Sequence, residues 1–147
     1  MAAVSTYLNF DGTCEEAFLL YRNVFGGEFT APIQYMKDVP GGPPLQGDEG
    51  DRVMHVALET IAGHQIMGTD IVPSLGHSLT AGNAMSINLE FDDEETLKDV
   101  HAKLSEGAAE SFGPQAEFWG QLFATVVDRF GIRWMMVAPL EEELGHA

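Results

Sequence analysis

The chain has 147 residues, 45% of them hydrophobic, which is room for one domain with a real core and too little for two ordinary ones. Its 23 acidic residues against 7 basic ones give a formal net charge of −16, which repels phosphate backbones and anionic headgroups and so excludes nucleic-acid and membrane-surface partners. A single cysteine, Cys14, rules out an internal disulfide and every Cys-rich zinc pattern; with an N-terminus that lacks a signal-peptide pattern, it predicts a reducing cytoplasm.

Residues 7–10 read as a short strand. Asp11-Gly12-Thr13 then offers a turn and an N-cap, with Glu16 three residues after Thr13 in the spacing of a capping box. Ala17, Phe18, Leu20, Tyr21, Val24 and Phe25 follow at helical spacing, and Gly26-Gly27 supplies a left-handed stop. Residues 33–39 predict a second strand. Residues 40–51 hold three prolines and four glycines and predict an irregular loop. Residues 53–61 and 64–72 read as a hairpin around Ala62-Gly63, and 73–82 as a further loop. A strand at 84–91 restarts the pattern. Asp92-Asp93 caps a helix carrying Leu97, Val100 and Leu104, which Gly107 ends. Residues 122–127 and 132–137 form a last hairpin around Arg129-Phe130-Gly131, and Glu141-Glu142-Glu143 begins a polar, frayed tail.

The two halves match in order. Leu8-Asn9-Phe10-Asp11 corresponds to Leu89-Glu90-Phe91-Asp92, and Phe18, Tyr21 and Phe25 correspond to Leu97, Val100 and Leu104. The hairpins align without a gap, setting Met54 on Leu122, Gly63 on Gly131, Ile66 on Trp134 and Met67 on Met135. The expected class is α+β, a single domain over 1–147 made of two β-α-β-β-β modules at about 4–73 and 83–139.

Several motifs carry a resemblance. Tyr7-Leu8-Asn9-Phe10-Asp11-Gly12 with Glu16-Ala17-Phe18 and Val24-Phe25-Gly26-Gly27-Glu28 resembles the opening of PhnB-like proteins of the vicinal oxygen chelate superfamily. That superfamily includes glyoxalases, bleomycin-resistance proteins and extradiol dioxygenases. Val53-Met54-His55-Val56-Ala57-Leu58 and Ile66-Met67-Gly68-Thr69-Asp70 resemble the central hairpin of the branch. Phe118-Trp119-Gly120 and the run from Asp128 to Met135 resemble its closing signature. The resemblance implies curled mixed sheets that enclose a pocket, often around a divalent metal held by His, Gln or Glu from the first and last strands of each half. Here those positions fall on Ser5 or Thr6, Met67, Met85 or Ser86, and Met135, none a usual ligand for a hard divalent ion. No cofactor and no metal site is therefore predicted.

Strand alternation sorts the polar residues onto one face of each sheet. Tyr7, Asn9, His55 and Glu59 share such a face in the first half, and Ser86, Asn88 and Glu90 in the second. They are the candidate ligand-binding residues, with Trp119 as an aromatic that closes over a pocket or packs between subunits. His55 is the candidate catalytic group, because imidazole titrates near neutrality. The competing expectation is that these side chains only solvate a strand face. His64 and His77 fall in turns and read as surface residues, while His101 falls on the second helix.

Three functions stay open. The first is a PhnB-like protein that binds a small organic molecule, with no reaction assigned. The second is a divalent-metal-dependent lyase, isomerase or dioxygenase using non-standard ligands such as His55 with Glu59 or Glu90. The third is a non-catalytic dimer with a vestigial pocket. The resemblance and the apolar sheet edges imply a homodimer.

Overall fold

The computed structural model describes residues 2–141, so the tail beyond Glu141 lies outside the described residues. The chain divides into two compact units, Met1–Thr80 and Ala81–Ala147. The first runs β1 (Thr6–Phe10), α1 (Cys14–Phe25), β2 (Gln34–Tyr35), β3 (Val53–Glu59) and β4 (Gln65–Asp70). The second runs β5 (Ile87–Glu90), α2 (Glu94–Ser105), β6 (Glu110–Ala116), β7 (Gln121–Val127) and β8 (Arg133–Pro139). Each unit is a β-α-β-β-β module with a four-stranded mixed sheet, ordered β1-β4-β3-β2 in one and β5-β8-β7-β6 in the other.

The internal repeat extends to hydrogen-bond register. Leu8 pairs in parallel with Gly68, which pairs antiparallel with Val56. In the second unit Leu89 pairs with Met136, which pairs with Ala124. These are the equivalences that the sequence alignment of the halves requires. Each helix buries one stripe against its own sheet. Phe18 and Tyr21 of α1 are fully buried, with Phe18 edge-on to Phe10, while Leu97 and Leu104 of α2 are buried in the second core with Trp134 and Met136. Gly68 lies beneath the Phe18 ring, where an added Cβ would stand 2.5 Å from Phe18 Cε1. The equivalent positions in the second unit hold Met136 and Leu97, a larger strand residue and a smaller helix residue, both buried.

Several expectations need correction. The strand expected over 33–39 is only Gln34–Tyr35, because Met36 N–H donates to Arg52 C=O and the chain turns into a 3-10 segment, Met36–Asp38. The strand expected over 84–91 shortens to Ile87–Glu90. The loop 40–51 is irregular until Glu49–Asp51, where another 3-10 turn forms. Strand β6 is the strand that the β-α-β-β-β pattern calls for and that no sequence run located. Gly113-Pro114 interrupts it, its pairing with β7 shifts between Phe112 and Gln115, and all seven residues are exposed, so no period-2 burial pattern marks it. A proline is tolerated there because β6 is an edge strand. The expected capping box also fails, since Thr13 makes no side-chain cap. Asp93, by contrast, caps α2 as expected, accepting from Thr96 N at 2.7 Å. Among the described residues no helix is long and apolar enough to cross a membrane.

Candidate functional site

The capping that Thr13 does not provide comes from Asp70, the last residue of β4. Its carboxylate is 3% exposed. Oδ1 accepts from Gly12 N at 2.9 Å and Cys14 N at 3.0 Å, and Oδ2 accepts from Val53 N at 2.9 Å. One buried anion thus satisfies the N-terminus of α1 and the first amide of β3, and the positive end of the helix dipole favours its charge. Beside it, Arg52 donates to Asp11 at 2.7 Å and to Ile71 O at 2.9 Å. The bond to Asp11 holds the guanidinium pKa above its ordinary value. These bonds fix the ends of β1, β3 and β4, and with them the sheet face turned away from α1.

That open face carries four of the expected residues. Tyr7 pairs with Met67, which pairs with Ala57, so the three form one row across it. Tyr7 is 46% exposed, and its hydroxyl lies 3.1 Å from His55 Nδ1 with the ring centroids 5.8 Å apart. Burial, and then the neighbouring Cys14, push the Tyr7 phenol above its ordinary pKa. The phenol hydroxyl and Nδ1 thus engage each other, and Nε2 is the imidazole nitrogen with no part in that bond. Asn9 and Glu59 are exposed, Asn9 opening into a separate cleft and Glu59 sitting at the end of β3 opposite Gln65. The structure joins Tyr7 to His55 and brings neither Asn9 nor Glu59 into that bond.

In the second unit Ser86 lies just before β5, and Asn88 and Glu90 occupy its exposed face, Asn88 beside Met135 of β8. Trp119, in the turn before β7, donates from its indole N–H to Gln121 at 3.0 Å. It stands edge-on to Phe118 at 5.1 Å and to Phe123 at 6.2 Å, forming an aromatic corner. Phe118 is 95% exposed.

The positions where the superfamily holds a metal do not fit a hard divalent ion. Thr6 Oγ1 is engaged at 2.8 Å by His64 Nε2, and Met67 and Met135 offer soft thioethers. Among the described residues no three His, Cys, Asp or Glu side chains gather as a metal site would need. His55 has a phenol, not a carboxylate, as its partner.

Sequence reasoning missed Asp70 and His77. Asp70 has no local signal, since its partners lie 17 to 58 residues away. His77 is exposed, as expected of a surface residue, and it also lines an open cleft of about 550 Å³ in the first unit together with Asn9, Thr69 and Ser78. The turn Pro73–Leu75 with left-handed Gly76 bends the chain back, so that Val72 N donates to His77 Nδ1 at 3.1 Å. Pro73 and Gly76 in that spacing are the signal that pointed to the turn.

The family model described as 3-demethylubiquinone-9 3-methyltransferase matches residues 2–137. Protein YjdN of Escherichia coli K12 is 28% identical over 139 residues, covering 90% of this chain and 92% of that protein. The crystal structure of protein PA1353 from Pseudomonas aeruginosa superposes with a TM-score of 0.81 at 27% identity, over 95% of this chain and 99% of that one. A Bacillus cereus structure described as both a 3-demethylubiquinone-9 3-methyltransferase and a PhnB protein shares the fold with a TM-score of 0.73 at 24% identity, over 93% and 99% of the two chains. With its duplicated β-α-β-β-β modules, the chain belongs to this PhnB-like family of the vicinal oxygen chelate superfamily.

Proposed function

We propose that the protein binds a small organic molecule on the open face of its first sheet, with Tyr7 and His55 as the recognition pair and His55 as the acid–base group. The 3.1 Å bond between Tyr7 Oη and His55 Nδ1 supports this reading. It orients an imidazole on an accessible face and leaves its second nitrogen for a ligand. Asn9 and Glu59 are assigned as further ligand contacts on that face. In the second unit, taken by itself, Ser86, Asn88, Glu90 and Trp119 are assigned as ligand-binding residues. The Tyr7–His55 pair favours recognition and proton exchange, and carries no feature specific to the methyl transfer named in the family's description.

A thermal-shift screen of a metabolite library tests the reading. At least one compound is expected to raise the Tm of the wild type and to lose that effect in Tyr7→Phe and His55→Ala. Binders indifferent to both substitutions would move the site elsewhere. We further propose a cytoplasmic homodimer. Its support is strand β6, an edge exposed along its whole length, and the neighbouring aromatic corner. Sedimentation at micromolar concentration should give a dimer; a monomer contradicts the pairing.

A further inference from the structure

The cleft that adjoins the proposed ligand face through Asn9 has a chemistry of its own. Its polar lining consists of Asn9, Thr69, Asp70, His77, Ser78 and Thr80. Two of these are largely committed within the protein. The Asp70 carboxylate accepts three backbone N–H groups, from Gly12, Cys14 and Val53. The Thr69 hydroxyl donates to Met54 O at 2.8 Å. His77 is half committed: its Nδ1 accepts from Val72 N at 3.1 Å. That bond holds only with a bare Nδ1, so the ring proton sits on Nε2.

What remains for a ligand is one fixed donor and three groups that can donate or accept. The fixed donor is the His77 Nε2–H; the others are the Asn9 amide and the hydroxyls of Ser78 and Thr80. Met36, Ile71 and Leu79 complete the lining with apolar surface, and no lysine or arginine is among the lining residues. Arg52, which reaches Ile71 O, is committed to Asp11. An anion would find no cationic partner here and would sit near the buried charge of Asp70. A cation would find the one lining carboxylate, Asp70, buried and already accepting three amides. A volume of about 550 Å³ lies within the range of small-molecule sites.

We infer that this cleft is a subsite for a neutral organic molecule with an acceptor oxygen, a ketone or amide carbonyl on an apolar body, and that His77 Nε2–H is its donor. The inference deepens the small-molecule reading by naming a ligand class. It rests on that reading in taking the first unit as the binding unit and in sharing Asn9 with it, while the cleft touches neither Tyr7 nor His55.

Three probes of one shape and different charge test it: cyclohexanone, cyclohexylammonium and cyclohexanecarboxylate. Each is titrated into the full chain while the imidazole resonances of His77 and His55 are followed by heteronuclear NMR. Cyclohexanone should shift the His77 resonances and bind at least about fivefold tighter than either charged probe. The free protein should show His77 protonated at Nε2. His77→Asn keeps an acceptor for Val72 N–H but shortens the donor arm, and should weaken cyclohexanone about fivefold with an unchanged fold. Leu79→Ala, which leaves every hydrogen bond in place, should weaken all three probes alike. A carboxylate that binds as tightly as the ketone, a His77 protonated at Nδ1, or no response at His77 to any probe would overturn the inference. Shifts at His77 with none at His55 would uphold it even if the Tyr7–His55 proposal failed; shifts at His55 alone would do the reverse.

Discussion

At the scale of single residues, Asp70 is the most consequential side chain in the first unit. Its carboxylate accepts three amide hydrogens while 3% exposed. Asp70→Ala would strand those donors in the interior, at a cost of about 3 kcal/mol or more; Asp70→Asn, which keeps one acceptor oxygen, should cost less. Urea denaturation of both variants measures the difference, and an Ala variant within about 0.5 kcal/mol of wild type would refute the hub role. The same carboxylate bears on Cys14. Burial, then Asp70 and then Glu15 push the thiol pKa up from its ordinary value. The native protein should resist iodoacetamide at about pH 8 and react only on unfolding, whereas fast labelling of the folded chain would contradict the burial. Neither role was legible in the sequence. An anchor whose partners are up to 58 residues away leaves no local spacing to read. Strand alternation did place Tyr7 and His55 on one face, since β1 alternates in burial up to Phe10, although β3 buries Val56, Ala57 and Leu58 in a row. The same reasoning could not find His77, whose position depends on a turn.

At the scale of elements, the packing of α1 on β4 depends on the missing side chain at Gly68. A Cβ there would meet Phe18 Cε1 at 2.5 Å and Cys14 Sγ at 3.2 Å. Gly68→Ala should therefore destabilise by about 1–3 kcal/mol through overpacking. Gly68→Ala with Phe18→Leu, which imitates the second unit's pairing of a larger strand residue with Leu97, should recover part of the loss; calorimetric melting reads both. A second element-level device is the link between the two loops near the cleft. The Glu49 carboxylate accepts from Ser74 Oγ, Gln46 N and Ser74 N. The Ser74 hydroxyl, and then those amides, hold its pKa below the ordinary carboxylate value of 4.5. A carboxyl with a depressed folded pKa contributes stability that is complete above the unfolded value and is lost as pH falls through the folded one. Amide exchange across 40–51 and 73–80 should therefore accelerate below about pH 4, while Glu49→Gln should exchange fast already at neutral pH. The elements most legible in the sequence were those with long apolar stripes, α1, α2 and the two hairpins. Those missed or misjudged were short or edge segments, β2 and β6, where tertiary pairing and not periodicity sets the structure.

At the scale of the whole molecule, the repeat is the feature the sequence disclosed best, since the alignment of the halves carries over into strand register. The charge of −16 is its other global property. Self-repulsion of that size should be relieved by salt, so the Tm should rise between about 10 mM and 150 mM sodium chloride as the Debye length falls from roughly 30 to 8 Å. A flat response would mean that the carboxylates are too dispersed to strain the fold. The central functional claim is that the Tyr7–His55 face binds a small molecule without the divalent ion the superfamily often uses. The most direct measurement is calorimetric titration of the best stabilising metabolite, in excess EDTA, against wild type and His55→Ala. The account predicts a Kd unchanged by the chelator and weakened about tenfold by the substitution. Binding abolished by EDTA, or indifferent to His55, would contradict it.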